Sequence, residues 1–179
     1  IIVAGGQENM SRAPHAIFYR EDKKLDENKL VDTMINDGLI DSFNNYHMGI
    51  TAENVAEKYK ISRDEQDLFA LNSQEKTQKA INENRFKNEL IKLKIDTDNK
   101  NFLFEKDEHP RSNLNLEDLK KLKTVFKENG TVTAGNSSGI NDGAAATILM
   151  SRKEAEFRGV EPLAKVVSWA TCGVEPSLM

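Results

Sequence analysis

Apolar residues along the chain change their spacing several times, and each spacing predicts a different kind of element. The opening run, Ile1–Gly6, is short and almost continuously apolar, which is typical of a buried strand that its two glycines end. Between Ile91 and Asp96 apolar and polar residues alternate, which predicts a half-buried strand with Phe102–Phe104 as its returning partner. Leu163–Thr171 predicts a final strand.

Helical spacing appears first in the middle of the chain. Ala52–Tyr59 has the pattern of a helix for which Thr51 is a suitable cap. Ser62-Arg-Asp-Glu65 is a capping box, and it predicts the start of a long helix that ends near Asn84. The residues of this helix predicted to face inward are Leu68, Leu71, Ala80 and Ile81.

Two further helices are predicted closer to the end of the chain. Asn115 opens the first, which has Gly130 beyond its end and carries on one face Leu116, Leu119, Leu122 and Phe126. Ser151-Arg-Lys-Glu154 is a second capping box, and Gly159 stops the short helix that follows it. With a strand on each side, this helix resembles a βαβ crossover.

A glycine-rich stretch, Gly135-Asn-Ser-Ser-Gly-Ile-Asn-Asp-Gly143, separates these two helices. Its composition excludes regular structure and favours left-handed backbone angles. The apolar run after it, Ala144–Met150, predicts a strand buried on both faces. Such a loop can bring backbone amides close to a ligand, or it can simply connect two core elements, and the residues alone favour the connection.

The remaining segments near the start of the chain are less regular. Gln7–His15 reads as a polar loop, and Ile17–Lys29 mixes opposite charges as a solvated excursion does. Residues 30–40 contain apolar positions that predict neither a helix nor a strand.

Charge and composition narrow the function classes. A net charge of −4 with scattered lysines argues against nucleic-acid binding, and no apolar run reaches the ~18 residues that a membrane-spanning helix needs. No pair of histidines has metal-ligand spacing, so no metal site is expected. The single cysteine, Cys172, excludes an internal disulfide; it has no neighbouring base and is expected to be a buried thiol at a strand end. The residues by themselves contain no recognisable catalytic group.

Several long motifs, in order along the chain, closely resemble the thiolase family, and in particular its acetyl-CoA acetyltransferase (acetoacetyl-CoA thiolase) branch. They are Ala4-Gly-Gly-Gln-Glu-Asn-Met-Ser-Arg-Ala-Pro-His15, His47-Met-Gly-Ile-Thr-Ala-Glu-Asn-Val55, Ile61-Ser-Arg-Asp-Glu-Gln66, Thr131-Val-Thr-Ala-Gly-Asn-Ser-Ser-Gly-Ile-Asn-Asp-Gly-Ala-Ala145, Ser168-Trp-Ala-Thr171 and Glu175-Pro-Ser-Leu-Met179.

The resemblance implies a partial thiolase α/β fold, with a mixed α+β loop domain inserted in an α/β core. Residues 1–12 are then a late strand of the N-terminal core, 13–141 the loop domain, 142–162 the last strand and helix of that core, and 163–179 the first strand of a C-terminal half. Because the chain begins inside a strand, we expect it to be an internal piece of a longer protein.

The resemblance places no catalytic residue in this chain, and Cys172 matches none of the family's catalytic cysteines. It implies a surface that binds coenzyme A (CoA) or acetyl-CoA as a substrate, with no tightly bound cofactor. The residues carried over by motif are Leu39, His47, Met48, Arg111, Leu122, Val125, Phe126, Ala134, Gly135, Ser138, Gly139, Ile140 and Met179. Core packing stays open as the alternative role for Leu122 and Phe126.

The activity implied for the full-length protein is condensation of two acetyl-CoA to acetoacetyl-CoA and CoA, with the reverse thiolysis, as in fatty acid and ketone body metabolism. The chain alone is expected to be inactive. A homotetramer, held partly by the 17–31 segment, and a cytoplasmic location are expected, and a mitochondrial location stays open. The alternative is a non-catalytic CoA-binding or scaffold protein of thiolase-like fold.

Overall fold

The computed structural model describes residues 1–17, 30–97 and 100–179. Strands in these residues are β1 (Ile2–Asn9), β2 (His15–Ala16), β3 (Val31–Asp32), β4 (Ile40–Asp41), β5 (Tyr46–His47), β6 (Leu93–Thr97), β7 (Lys100–Phe104) and β8 (Asp142–Leu149). The α-helices are α1 (Met48–Tyr59), α2 (Arg63–Asn82), α3 (Leu116–Lys120) and α4 (Arg152–Arg158). Short 3₁₀ turns lie at Met10–Arg12 and Pro176–Leu178, and a π-helical turn at Met34–Leu39.

The chain divides into two units. The strand unit consists of Ile1–Met48 with Ile140–Met179, and the helix unit is the continuous stretch Gly49–Gly139. The division predicted from the resemblance, into 1–12, 13–141, 142–162 and 163–179, stays a prediction.

The strand unit is built on an antiparallel pair of β1 and β8, which runs from Ile2 opposite Leu149 to Asn9 opposite Asp142. The opening strand is therefore confirmed, although it continues past its glycines to Asn9. Its predicted burial is wrong, since every residue of β1 except the half-buried Ala4 is exposed. Gly5 belongs inside it because a Cβ there would meet the backbone of the facing strand, with the Cα of Ala146 only 3.0 Å away.

The strand after the glycine-rich stretch is also confirmed, but its burial on both faces is not. Every residue of β8 is exposed, because β8 pairs with β1 alone among the described residues. Local sequence predicted the extended backbone, whereas burial depends on what covers the two faces.

The predicted polar loop Gln7–His15 is wrong in part. Its first residues belong to β1, the next form a 3₁₀ turn, and His15 pairs with Asp32 in the short β2–β3 ladder. The excursion predicted after Ile17 falls on residues 18–29, which lie outside the described residues.

In the helix unit the capping box at the start of α2 is confirmed in both directions. The Glu65 backbone N–H donates to Ser62 Oγ (3.2 Å), and the Ser62 backbone N–H donates to Glu65 Oε2 (2.7 Å). The predicted inward face is wrong in part, since Leu68 is 49% and Ile81 40% exposed, while Leu71 and Ala80 are half-buried. Asp67, which was not predicted to face inward, is fully buried. The buried stripe of this helix therefore carries an ion pair in place of an aliphatic side chain.

The cap predicted for α1 is wrong. The helix begins at Met48, so Thr51 lies within its first turns, where it is only 2% exposed. Its environment is that of a buried helical residue.

The helix opened by Asn115 is confirmed at its start but is shorter than predicted. The Asp118 backbone N–H donates to Asn115 Oδ1 (3.0 Å), yet α3 ends at Lys120, so Leu122 and Phe126 do not share its face. At this end the Arg63 guanidinium donates to the carbonyls of Leu119 (2.6 Å) and Leu122 (3.2 Å). Carbonyls at a helix end need such a donor once the helical ladder stops.

The predicted β6–β7 pair and the predicted ends of α4 are confirmed in part. β6 and β7 pair from Leu93 opposite Phe104, but β6 begins at Leu93 and not at Ile91. Its predicted half-burial is wrong in part, since Ile91 is 81% and Leu93 52% exposed. Gly159 ends α4 with φ 63°. Ser151 Oγ accepts from the Glu154 backbone N–H (3.2 Å) at the start of α4, but the predicted capping box is only half formed, because the Glu154 carboxylate accepts from Arg158 Nε instead.

The strand predicted over Leu163–Thr171 is wrong, and with it the βαβ crossover. A strand needs a ladder partner, and the described residues supply none for this segment. Cys172 is exposed, so its prediction as a buried thiol at a strand end is also wrong. Among the helices of the described ranges, none has the length and apolarity to cross a membrane.

Candidate functional site

The first residues of the 131–139 loop in the helix unit are held by a buried carboxylate. Glu53, in α1, is only 4% exposed. Its oxygens accept hydrogen bonds from the Thr131 backbone N–H (2.8 Å), the Thr131 hydroxyl (2.8 Å) and the Val132 backbone N–H (2.8 Å). Three donors around one carboxylate fix where the loop starts, because each charge-assisted bond is shorter and stronger than a neutral one.

A second buried carboxylate holds the middle of the same loop. Asp67 is 0% exposed; its Oδ2 accepts from Arg63 Nε (2.7 Å) and its Oδ1 from Asn136 Nδ2 (3.0 Å). Asn136 Oδ1 in turn accepts from the Thr133 backbone N–H (2.8 Å). The side chain of Asn136 thus links the loop backbone to α2.

Gly135 lies where neighbouring side chains approach the loop backbone closely. The prediction that the glycines of this stretch adopt left-handed backbone angles is wrong. Among the described glycines only Gly159 has a positive φ. A Cβ at Gly135 would lie 2.5 Å from Leu119 Cδ2 and 2.6 Å from Leu122 Cδ1. Glycine is needed here because the two leucine side chains occupy the space that a side chain at position 135 would fill.

The outer side of the loop is open. Ala134 and Ser138 are exposed, whereas Gly135 and Gly139 are half-buried. The Ser137 hydroxyl donates to the Thr133 carbonyl (2.7 Å) and is used within the loop. The loop therefore presents a small apolar side chain and a hydroxyl outward on a braced backbone.

Two other candidate residues lie beside the start of this loop. Leu122 contacts Gly135, and the Val125 backbone N–H donates to the Val132 carbonyl (3.1 Å). Phe126 is half-buried, and its ring lies where a side chain at Gly49 would be. One face of that ring therefore packs against α1, as the core-packing alternative expected.

Arg111 lines a different part of the helix unit, a cavity of about 410 Å³ between α2 and residues 111–114. Its backbone N–H donates to Gln74 Oε1 (2.9 Å), which holds the segment against α2. The Arg111 side chain is exposed. A guanidinium in this setting is suited to an anionic group such as a phosphate.

In the strand unit, three of the predicted residues come together. Ile40 pairs with His47 in the β4–β5 ladder, which places Leu39 and Met48 next to each other at its end. All three predicted residues are half-buried there. Ile140 and Met179, by contrast, are each 64% exposed and lie at other places in the unit.

Asp41 stabilises the turn of the β4–β5 hairpin. Burial by itself would raise the pKa of Asp41, but the Asn44 side chain and the backbone N–H groups of Phe43 and Asn44 donate to its carboxylate and lower the pKa overall. Asp142, at the start of β8, has its pKa lowered by hydrogen bonds from the hydroxyl (2.5 Å) and the backbone N–H (3.0 Å) of Ser11. Both carboxylates have structural partners.

Within the described ranges no group of three or more His, Cys, Asp or Glu side chains is placed to hold a metal. The groups suited to a ligand are instead the loop backbone, the Ser138 hydroxyl and the Arg111 guanidinium. Such groups bind and orient a substrate, and none of them is a nucleophile with an adjacent base.

The buried network around the loop was missed by sequence reasoning. No buried role was predicted for Glu53, Arg63, Asp67 or Asn136. One signal was present, because Arg63 and Asp67 are four residues apart on a helix and can form an ion pair. Nothing local in the sequence indicates that this pair is buried.

The comparisons with known proteins identify the family. A family model described as Thiolase, N-terminal domain, matches residues 1–153. The chain belongs to the thiolase family. Its recognition from the sequence motifs is thereby confirmed.

Thiolases of known name and structure match nearly the whole chain. The acetyl-CoA acetyltransferase of Rhizobium meliloti (strain 1021) is 50% identical over 179 residues, and the cytosolic acetyl-CoA acetyltransferase of Rattus norvegicus is 49% identical over 181. Each match covers 100% of this chain and 46% of the relative. The chain therefore spans about half the length of these thiolase relatives.

Solved thiolase structures confirm the predicted fold class, a partial thiolase α/β fold. The crystal structure of the Bacillus anthracis acetyl-CoA acetyltransferase has a TM-score of 0.90 at 40% identity, covering 98% of this chain and 45% of that one. Human mitochondrial 3-ketoacyl-CoA thiolase has a TM-score of 0.87 at 36% identity, with the same coverage.

Proposed function

We propose that the protein is an acyltransferase that condenses two acetyl-CoA to acetoacetyl-CoA and CoA and catalyses the reverse thiolysis. The observation that carries this proposal is the identity of 46–50% to proteins named acetyl-CoA acetyltransferase over the entire chain. In the condensation, C2 of one acetyl group bonds to the carbonyl carbon of the other. The thioester C–S bond of the second acetyl group breaks, and the departing CoA sulfur takes up the proton lost from C2.

In this proposal residues 1–179 bind the coenzyme and leave the covalent chemistry to other parts of the protein. The Ser138 hydroxyl and the Ala134–Gly139 backbone contact the pantetheine arm, and Arg111 pairs with a phosphate of the nucleotide. Leu39, His47 and Met48 face the acyl end. Leu122, Val125 and Phe126 contribute apolar surface in the helix unit, and Ile140 and Met179 do so in the strand unit.

The supporting geometry is the braced loop with an open outer side. Two buried carboxylates hold its inner side, and Ala134 and Ser138 are exposed on the other. Pre-organised backbone and hydroxyl groups bind a ligand without a further ordering cost. An exposed guanidinium at Arg111 complements the negative charge of a nucleotide phosphate.

The first experiment measures thiolysis of acetoacetyl-CoA and binding of CoA by the protein expressed from its complete gene. Turnover above the no-enzyme rate supports the proposal. Binding of CoA without turnover would favour the non-catalytic CoA-binding alternative. The absence of both CoA binding and turnover would contradict the two functions alike.

Variants then test the binding assignment. Arg111→Ala and Ser138→Ala are each expected to raise the KM for CoA with little change in kcat, since uniform binding is lost. Arg152→Ala, which removes an exposed arginine of α4, is the matched control for Arg111. An unchanged KM in both variants would contradict these roles.

Residues 1–179 expressed alone are proposed to have no thiolase activity, because none of them is assigned as a nucleophile or base. Thiolysis by this chain that survives Cys172→Ala would contradict the proposal. The control is the same assay on the protein from the complete gene.

For the whole protein we also propose a cytoplasmic homotetramer, a dimer of dimers, in which residues 17–31 contribute to association. Deleting residues 20–27 should leave a dimer in light-scattering measurements. A tetramer of unchanged mass would remove this role from the segment.

A further inference from the structure

We infer that Asp67 is a positioning residue for the proposed coenzyme-binding loop, acting through Asn136 and Arg63 on residues 133–139. The inference rests on the proposed function, since it takes the loop to contact CoA. Asp67 itself is fully buried and reaches no ligand. Its role is to hold the groups that do.

The two carboxylate oxygens of Asp67 serve two different neighbours. Oδ1 accepts from Asn136 Nδ2 (3.0 Å), and Oδ2 accepts from Arg63 Nε (2.7 Å). An uncharged amide at this position has only one accepting oxygen, so it cannot replace both bonds. A carboxylate at position 67 therefore suits a site in which both neighbours are hydrogen-bond donors.

Through Asn136 the carboxylate sets the path of the loop backbone. Asn136 Nδ2 also donates to the Thr131 carbonyl (3.1 Å), and Asn136 Oδ1 accepts from the Thr133 backbone N–H (2.8 Å). The Asn136 backbone N–H closes the turn onto the Thr133 carbonyl (3.3 Å). Because Asp67 accepts only, it fixes which end of the Asn136 amide faces α2.

Through Arg63 the same carboxylate supports the apolar side of the loop. Arg63 Nη2 donates to the carbonyls of Leu119 (2.6 Å) and Leu122 (3.2 Å). These are the two leucines that fill the space beside Gly135. Moving or neutralising Asp67 would thus loosen both sides of the loop at once.

A purely structural role would not need this chemistry. Buried ion pairs are expensive to desolvate, and apolar side chains of similar volume often stabilise a fold as well or better. Among the described residues no buried side-chain polar atom lacks a partner, so this network is fully satisfied. What the ion pair adds is a defined position for the loop.

The test compares Asp67→Asn with Asp64→Asn in the protein expressed from its complete gene. Asp64 is an exposed acid of the same helix and serves as the matched control. Asp67→Asn is expected to weaken CoA binding about tenfold, as loss of one charge-assisted hydrogen bond does, with kcat changed about twofold or less. Calorimetry gives the Kd and thiolysis gives kcat and KM.

A second control separates positioning from stability. Ala155→Gly lies in α4, which within the described ranges supplies no hydrogen bond to the loop, and it lowers stability through helix propensity. If Ala155→Gly lowers Tm as Asp67→Asn does while leaving the Kd for CoA unchanged, the effect of Asp67 on binding is positional. Equal Kd values in Asp67→Asn and wild type, despite a lower Tm, would overturn the inference and leave the proposed function standing.

A double-mutant cycle gives a further outcome to look for. Asp67→Asn should weaken CoA binding less in an Asn136→Ala background than in the wild type, because the Asn136 amide through which Asp67 acts is already absent. Additive losses of CoA affinity in this cycle would contradict the inference. If Asp67→Asn does not fold, Asn136→Ala, which keeps the Arg63–Asp67 pair, carries the same expectation. A wild-type protein that does not bind CoA overturns the proposed function and this inference together.

Discussion

Replacing Gly135 by alanine adds one methyl group at the most crowded point of the 131–139 loop. The new Cβ would lie 2.5 Å from Leu119 Cδ2 and 2.6 Å from Leu122 Cδ1. Carbon atoms in contact are ordinarily 3.5–4.0 Å apart, so at least one leucine must move. Leu122 is 37% exposed and can turn aside, whereas Leu119 is 1% exposed and has little room.

Two opposing terms set the size of the effect. Overpacking a well-packed site costs about 1–3 kcal/mol. Gly135 does not have a positive φ, so alanine can adopt its backbone angles. Alanine also lowers the conformational entropy of the unfolded chain, which stabilises the protein by about 0.4–1 kcal/mol. The steric term is larger, and we expect a net destabilisation of roughly 1–2 kcal/mol.

Urea unfolding of the wild type and of Gly135→Ala measures this difference as a shift in midpoint at unchanged slope. Gly143→Ala is the control, because no atom lies within 4 Å of the Cβ that it adds. That variant is expected to be neutral or slightly stabilising, by up to about 1 kcal/mol. Gly135→Ala should therefore lower the free energy of unfolding, whereas Gly143→Ala should leave it unchanged or raise it.

A double-mutant cycle with Leu122→Ala tests the steric reason directly. Removing Leu122 should cost less in the Gly135→Ala background than in the wild type, because it relieves one of the two contacts. Additive free energies in this cycle, or a Gly135→Ala variant as stable as Gly143→Ala, would refute the reasoning.

Three other predictions concern a cap, a turn and a pocket. The hydrogen bonds from Ser62 lower the pKa of Glu65, so its contribution to stability is present above about pH 4.5 and is lost as pH falls through the lower folded-state pKa. Glu65→Gln should flatten the pH dependence of Tm in that acid range; an identical pH profile would contradict this. Gly159→Ala should destabilise by about 1 kcal/mol, since φ is 63° there, and equal stability to the Gly143→Ala control would contradict it. If Met48 faces the acyl end, as in the proposed function, Met48→Gly should raise the ratio of kcat/KM on longer or branched 3-ketoacyl-CoA to that on acetoacetyl-CoA, because a smaller side chain leaves room for extra methylenes. A constant ratio with a lower Tm would make Met48 a packing residue.

Features that depend on neighbours within a few residues were determined by the sequence itself. The capping box at Ser62, the asparagine cap at Asn115 and the left-handed glycine after α4 each involve groups up to four residues apart. The alternation in β6 likewise shows in the local order of apolar and polar residues. The family motifs belong to this class too, since each is a continuous run of residues.

Features that depend on distant parts of the chain were decided only by the tertiary structure. α3 ends at Lys120, where Arg63, 56 residues before Leu119, donates to the Leu119 carbonyl. The segment Leu163–Thr171 has the composition of a strand but no ladder partner among the described residues.

The loop at Gly135 shows the physical reason for this difference. Composition suggested that its glycines supply left-handed backbone angles, whereas Gly135 is required because Leu119 and Leu122 occupy the space beside it. Likewise, no buried role was predicted for Glu53 or Asp67, yet both are buried by segments about 70 to 80 residues further along the chain. Backbone angles and caps are local properties, but burial and close approach are set by whichever distant segment packs against a residue.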